Sequence, residues 1–223
     1  MRKLINGIVE FRRNVRKDYR ERFGRLAQGQ TPDSLFVACS DSRVVPNTFA
    51  STDPGDLFVV RNVGNLVAPC GEYGVSTSDE SEGAAIEFSV LNLNVADIIV
   101  CGHSECGAMH ALLNNRNEIK THNLKNWLRH GEKALQLLNE GHTLDSSISR
   151  HNQLSQLNVL VQMDHIKSYP AVQERIQQGK LRIHGWWFDI TKADVYSFVD
   201  SENKFVLLDE SGAKKLLAKL TNK

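Results

Sequence analysis

The sequence lacks long apolar runs and contains few prolines. Its longest apolar stretches, such as residues 35–39, have the length of a β-strand and fall far short of the roughly 20 residues that span a bilayer. Proline occurs 5 times and glycine 15 times in 223 residues, which excludes collagen. With 41% hydrophobic and 24% charged residues, the composition also excludes a coiled coil and wholesale disorder. We expect a folded protein that has no membrane partner.

An excess of charge of one sign is also lacking. Lysine and arginine number 27 against 26 acidic residues, so no overall field attracts nucleic acid or an anionic membrane. The basic residues near the N-terminus are interleaved with Glu10, Asp18 and Glu21. We therefore interpret them as a solvated helix face or a subunit contact, and we expect no nucleic-acid partner.

Cysteine is sparse, and the N-terminus does not resemble a secretion signal. Glu10, Arg12 and Arg13 interrupt the segment where a signal peptide would have its apolar core, so we expect a cytoplasmic protein. Four cysteines, at positions 39, 70, 101 and 106, are too few for a disulfide scaffold. In a reducing compartment, metal binding or catalysis is expected for any that are not simply buried.

The hydrophobic pattern predicts alternating strands and helices. One apolar stripe predicts an amphipathic helix: Ile8, Phe11, Val15, Tyr19, Phe23 and Leu26. Continuous apolar segments at 35–39, 57–60 and 97–101 predict strands buried on both faces of a parallel sheet. A crossover helix with a serine N-cap is predicted over 81–91. Further helices are predicted over 123–138 and 148–165, from Pro170, and over 213–220, with strands at 181–188 and 204–208.

These elements predict an α/β fold with a mainly parallel central sheet flanked by helices and a C-terminal edge strand. Because no linker or repeat interrupts them, we expect a single domain, residues 1–223, with residues 1–28 as an N-terminal helical arm.

Two polar segments follow strands of the predicted sheet. The segment Cys39-Ser40-Asp41-Ser42-Arg43 ends the first strand, and Gly102-His103-Ser104-Glu105-Cys106-Gly107 ends the third. Ligands of open parallel sheets gather at the carboxyl ends of the strands, so Cys39, His103 and Cys106 are expected at one edge. Two thiolates and an imidazole suit Zn²⁺ and leave a fourth position for water. Burial as ordinary core residues is the alternative, and Cys101 could instead complete a closed site.

Competing motifs fail on spacing. A nucleophile elbow needs glycine two residues after Ser104, where Cys106 stands, and neither a P-loop nor a G-x-G-x-x-G sequence is present.

Asp41 and Arg43 are spaced to form a carboxylate–guanidinium pair. Beside zinc, this carboxylate would orient and activate a water molecule.

With these segments, the sequence resembles the β-class carbonic anhydrases. The resemblance covers nearly the whole chain, and it is carried by the two strand-end segments above together with residues 61–65, 82–88 and 184–186. It implies reversible hydration of CO2 to bicarbonate, with Cys39, His103 and Cys106 as zinc ligands and Asp41 and Arg43 as the catalytic dyad. It also implies substrate-binding residues: Gln30, Phe58, Val63, Phe88 and the backbone N–H of Gly107. The implied assembly is a homodimer or homotetramer, in which the N-terminal helix packs on a partner subunit and the pocket draws on both subunits.

Two departures from the family pattern are visible. Some members have a Trp-Arg-Tyr triad that binds bicarbonate and favours a closed form in which the dyad aspartate, here Asp41, is the fourth zinc ligand. The matching positions are Phe36, Arg61 and Phe188, which predicts that this bicarbonate switch is missing. Phe88 also replaces a tyrosine common in relatives.

Two alternatives to CO2 hydration remain. One is a hydrolase of carbon disulfide or carbonyl sulfide on the same site, and the other is a non-catalytic zinc or thiol module.

Overall fold

A six-stranded sheet forms the centre of the computed structural model, which describes residues 1–221, with side chains as far as residue 218. The strands are β1 (Ser34–Cys39), β2 (Leu57–Asn62), β3 (Asp97–His103), β4 (Arg182–Asp189), β5 (Asp194–Val199) and β6 (Lys204–Leu207). Their order is β2-β1-β3-β4-β5-β6, with β1 to β4 parallel and β5 and β6 antiparallel. The predicted mainly parallel sheet and C-terminal edge strand are confirmed.

Strand β5 is the one strand of the described chain that the sequence pattern did not predict. Its sequence, Asp-Val-Tyr-Ser-Phe-Val, contains no long apolar run, and most of its residues are only half-buried. It pairs with β4 and β6 in antiparallel fashion, so it lies outside the doubly covered parallel part of the sheet where continuous apolar runs are needed.

The helices flank this sheet: α1 (Arg2–Glu10), α2 (Arg16–Leu26), α3 (Pro46–Phe49), α4 (Glu80–Glu87), α5 (Gly107–Leu113), α6 (His122–Trp127), α7 (Glu132–Asn139), α8 (Arg150–Lys167), α9 (Pro170–Gln177) and α10 (Glu210–Thr221). A π-helical turn joins α1 to α2, and a 3₁₀ turn joins α6 to α7. Two helices predicted as continuous are therefore interrupted. Within residues 1–221, no helix is long and apolar enough to cross a membrane.

The N-terminus of the crossover helix α4 differs from the prediction. Its N-cap is Asp79, whose carboxylate accepts a hydrogen bond from the backbone N–H of Ser81 at 2.8 Å. The predicted serine cap was wrong because an aspartate two residues earlier is an equally favoured cap and lies at the end of the extended segment.

Burial on both faces fixes the position of β1. Leu35 and Val37 lie in one core cluster, and Phe36 and Ala38 lie in another on the opposite face, all at most 1% exposed. Each large apolar side chain buried in this way contributes about 1.5–3 kcal/mol. The strand that ends at Cys39 is therefore held rigidly in the middle of the sheet.

Candidate metal centre

The carboxyl ends of β1 and β3 bring three metal-binding side chains together. Cys39 is the last residue of β1, His103 is the last residue of β3, and Cys106 immediately precedes α5. The two sulfur atoms and the imidazole nitrogen lie within 4.8 Å of one another, and all three residues are buried. This is the juxtaposition expected from the parallel pairing of β1 with β3.

The imidazole of His103 is oriented with one nitrogen free. Its Nδ1 lies 2.8 Å from the carbonyl oxygen of Ser104, which can only accept, so Nδ1 carries the proton. Its Nε2 is buried and has no hydrogen-bond partner among the described residues. An unpaired buried nitrogen costs free energy unless something binds it. A metal ion fits this lone pair, and fixing the tautomer through the other nitrogen is typical of histidine ligands.

The two thiols are not equivalent. A hydrogen bond from the Cys106 thiol lowers the pKa of Cys39 to about 4, while burial opposes the shift. The same contact and burial raise the pKa of Cys106 above its usual value. The backbone N–H of Gly64 also donates to the Cys39 sulfur at 3.3 Å. The pair therefore carries a thiolate, which is the form that binds metal.

Gly64 can make this contact because it has no side chain. Its φ is +86°, in the left-handed region, and an added Cβ would lie 2.9 Å from the Cβ of Ala108. The backbone can therefore approach the sulfur only with glycine at this position.

Asp41 and Arg43 form a two-pronged ion pair beside the thiols. Nε of Arg43 donates to Oδ1 at 2.9 Å and Nη2 donates to Oδ2 at 2.7 Å, while the backbone N–H of Arg43 donates to Oδ1 at 3.0 Å. These bonds from Arg43 hold the pKa of Asp41 well below its usual range. Nη2 also donates to the carbonyl oxygen of Glu105 at 3.0 Å, so Arg43 joins the two strand-end segments.

Arg61 supports the same loop from β2. It donates to the carbonyl oxygens of Cys39 at 3.0 Å and Asp41 at 2.7 Å. Phe36 and Phe188 lie in the apolar core, where Phe49 stacks on Phe188 with ring centroids 4.7 Å apart. Of the three positions considered for bicarbonate, two are therefore buried aromatic residues and the third is engaged with main-chain oxygens.

Two of the predicted substrate-binding residues belong to the β2 region: Phe58 lies in β2, and Val63 follows its last residue. The Phe58 and Phe88 rings have centroids 5.9 Å apart, and Phe88 and Val63 are 43% and 44% exposed. Gly107 begins α5, so its N–H is among those without a partner inside the helix. Gln30 lies exposed in the segment between α2 and β1.

The remaining cysteines do not join the centre. Cys101 is fully buried in the apolar cluster with Phe36, and burial raises the pKa of its thiol. It is not in the group of ligand atoms formed by Cys39, His103 and Cys106. Cys70 lies half-buried in a loop, and all four cysteines are free thiols. The Cys101 alternative to an open site therefore finds no support in the geometry.

Several supporting residues were not predicted from the sequence. Asn152 of α8 accepts a hydrogen bond from the backbone N–H of Glu105 at 2.8 Å, and Ser155 donates to the carbonyl oxygen of His103 at 2.8 Å. Trp127 donates to the carbonyl oxygen of Val63 at 2.8 Å. These residues come from helices distant in sequence, and no local spacing signals their role.

Comparison with known proteins identifies the class. The family model described as carbonic anhydrase matches residues 34–195. A carbonic anhydrase of Pseudomonas aeruginosa is 37% identical over 210 residues, which cover 94% of this chain and 93% of that protein. A carbonic anhydrase of Synechococcus elongatus is 36% identical over 211 residues, which cover 94% and 76% of the two chains.

Solved structures similar to this chain are also carbonic anhydrases. The β-carbonic anhydrase CcaA superposes with a TM-score of 0.85 at 36% identity, covering 93% of this chain and 98% of that one. A tetrameric β-carbonic anhydrase from Sordaria macrospora gives a TM-score of 0.75 at 29% identity, covering 88% and 95%. The chain is thus an enzyme of the carbonic anhydrase family, and within that family it belongs to the β class.

Proposed function

We propose that this enzyme catalyses the reversible, zinc-dependent hydration of CO2 to bicarbonate and a proton. The observation that carries the proposal is the buried, unpaired Nε2 of His103, which lies beside two thiols and close to an arginine-held carboxylate. Family membership supports CO2 hydration, and the donor set supports zinc as the metal.

Cys39, His103 and Cys106 would hold Zn²⁺ with a fourth position left for water. The bound metal would supply the Lewis acidity that lowers the pKa of that water. Two thiolates neutralise the metal charge, so acidification is weaker than with three imidazoles, and a nearby hydrogen-bond acceptor is needed.

Asp41 is that acceptor. Its pKa, held low by Arg43, keeps the carboxylate ionised, so its oxygens accept hydrogen bonds and donate none. Arg43 also fixes the direction of the carboxylate through its two parallel bonds. The pair thereby orients the attacking water toward the carbon of CO2. In a closed form, Asp41 would first have to break its hydrogen bonds with Arg43 before it could bind the metal.

The substrate pocket is proposed to lie at an interface between two copies of the chain. Phe58, Val63 and Phe88 would contact CO2, while Gln30 and the N–H of Gly107 would position its oxygen atoms. The exposure of Val63 and Phe88 supports a pocket that a second copy completes. The exposed stripe of α1, which includes Leu4 and Ile8 at 65% and 68%, would pack on that copy.

We further propose that the bicarbonate switch of some relatives is missing, because phenylalanines replace its two other polar partners and Arg61 binds main-chain oxygens. A crystal grown with bicarbonate that shows the anion against Arg61 would contradict this. The remaining expectations stay proposals: one domain over residues 1–223 with a 1–28 arm, a cytoplasmic location, and a dimer or tetramer.

The test is stopped-flow CO2 hydration with a pH indicator, combined with zinc analysis. Asp41→Asn is expected to keep about one zinc per chain and to lose at least about 100-fold in kcat/KM. The matched control is Asp164→Asn, an exposed carboxylate paired with Lys167 in α8, which should hydrate CO2 as the wild type does. Unchanged hydration by Asp41→Asn, or zinc bound without hydration in the wild type, would contradict the proposal, and carbon disulfide and carbonyl sulfide would then be assayed.

A further inference from the structure

A second group of metal-binding side chains lies outside the site described above. Glu105 is in the loop between β3 and α5, His110 is in α5, and His151 is in the first turn of α8. One atom from each lies within 4.8 Å of the other two. The two imidazole rings are stacked with centroids 3.8 Å apart, and Nε2 of each faces the Glu105 carboxylate: His151 at 2.8 Å from Oε1 and His110 at 3.5 Å from Oε2.

Glu105 is held in place from two sides, and one of these contacts reaches its carboxylate. Asn152 accepts a hydrogen bond from the backbone N–H of Glu105 at 2.8 Å and donates to its Oε1 at 3.2 Å. On the other side, Arg43 donates to the carbonyl oxygen of Glu105 at 3.0 Å. Glu105 has a φ of +54°, which a residue with a side chain adopts only when its surroundings fix it. These contacts already restrict Glu105, so a bound ion would have to order it little further.

The chemistry of the donors selects the class of ion. Two imidazole nitrogens and one carboxylate oxygen form the His2Glu set that suits Zn²⁺, Cu²⁺, Ni²⁺ or Co²⁺, whereas Mg²⁺ and Ca²⁺ prefer all-oxygen sites. The Glu105 and His110 side chains are 47% and 42% exposed and that of His151 is 17% exposed, so an ion can reach all three from solvent.

We propose that Glu105, His110 and His151 form a second, solvent-accessible site for a divalent transition-metal ion. It shares no ligand with the centre formed by Cys39, His103 and Cys106. It is nevertheless connected to that centre, because the main chain of Glu105 accepts a hydrogen bond from Arg43, the partner of Asp41. The binding step itself does not depend on the hydration activity proposed above.

Equilibrium dialysis of the holoprotein against buffered Zn²⁺, followed by metal analysis, tests the proposal. The variants are His110→Gln and His151→Ala, and the control is His142→Ala, which removes an exposed histidine in the loop between α7 and α8. Wild type and His142→Ala should each bind about one zinc more per chain than the other two variants. Equal zinc in all four proteins, or no zinc beyond that of the thiolate centre, would overturn the proposal.

A second measurement identifies the ligands. Co²⁺ added to the zinc-loaded protein should produce weak visible absorption without the strong near-ultraviolet charge transfer of thiolate–cobalt bonds, and His151→Ala should abolish that absorption. Mg²⁺ in excess should not compete. Thiolate–cobalt charge transfer in the wild type would show that cobalt enters the cysteine centre instead, which counts against the second site. Because the zinc count is a difference between wild type and variant, it remains interpretable even when hydration is absent.

Discussion

The buried carboxyl group of Glu82 should make the stability of this enzyme depend on pH in an unusual direction. Glu82 lies in α4 and is 5% exposed, its Oε1 accepts a hydrogen bond from Asn62, and its Oε2 has no partner among the described residues. Burial, with repulsion from Asp79 in addition, raises its pKa from 4.5 to about 8, although the bond from Asn62 opposes the shift. The folded protein therefore retains a proton that the unfolded chain releases.

The sign and size of the effect follow from this difference. Below pH 4.5 both states hold the proton and Glu82 costs nothing. As the pH rises from 4.5 to about 8, only the unfolded chain ionises, so the free energy of unfolding falls. At about 1.4 kcal/mol per pKa unit, the loss reaches about 3 kcal/mol near pH 7, and it stops growing once the folded state also ionises.

Glu82→Gln should remove this dependence, because glutamine resembles the protonated acid at every pH and can still accept from Asn62. Urea denaturation at one fixed protein concentration, from pH 5 to pH 9, measures the difference between variant and wild type. We expect a difference within about 1 kcal/mol at pH 5 and a variant more stable by about 4 kcal/mol at pH 8. Using the difference cancels contributions from the cysteine ligands, which both proteins share.

Glu80→Gln, an exposed change on the same helix, is the matched control and should show no such trend. A Glu82→Gln difference that stays constant between pH 5 and pH 8 would refute the reasoning, because the folded state would then not hold the proton.

Three further predictions concern the elements that carry the metal centre. Gly102→Ala places a Cβ 2.7 Å from Cγ2 of Val159 and should cost about 1–3 kcal/mol in urea denaturation. The same change should cost less when it is made in a Val159→Ala background, and an equal cost in both backgrounds would argue against this clash. Ser155→Ala removes the donor to the carbonyl oxygen of His103 and the acceptor of the Trp187 N–H, so the unfolding free energy should fall by about 1–3 kcal/mol, whereas an unchanged value would mean that water replaces both bonds. Removing zinc by chelation should lower Tm by at least about 5 °C, since the ion binds only the folded chain; Zn²⁺ but not Mg²⁺ should restore it, and a Tm unaffected by chelation would contradict a bound metal.

The sequence predicted those parts of the fold in which local pattern and tertiary burial require the same residues. Strands β1 and β3 are covered on both faces, so their apolar runs are visible in the sequence, and their parallel pairing brings Cys39 and His103 to one edge. Helix α9 begins at Pro170, as predicted, because proline at the first helical position loses no helix hydrogen bond. The breaks between α1 and α2 and between α6 and α7 leave no trace in the apolar spacing, which continues through them.

The supporting contacts could not be predicted because they depend on how distant segments pack. Asn152 and Ser155 contact the segment at 103–105 only because α8 packs against β3. The stacking of His110 on His151 arises in the same way, because α5 lies against the start of α8. Of the three residues in this second group, only Glu105 belongs to a segment that the sequence singled out, where it lies between His103 and Cys106. Neither spacing nor composition records such contacts across some 40 residues of chain.

The candidate metal centre and the proposed substrate pocket are therefore determined by different interactions. Each of the three candidate ligands is fixed inside one chain: two end strands of a buried sheet, and the third immediately precedes α5, which packs on α8. The apolar residues around β2 are not fixed in this way, since β2 is an edge strand and Val59, Val63, Phe88 and Leu91 are all at least 37% exposed. An apolar strand edge left open favours pairing with another chain. If a second copy covers this edge, metal binding should survive dissociation of the copies while binding of CO2 should not, because only the pocket depends on the interface.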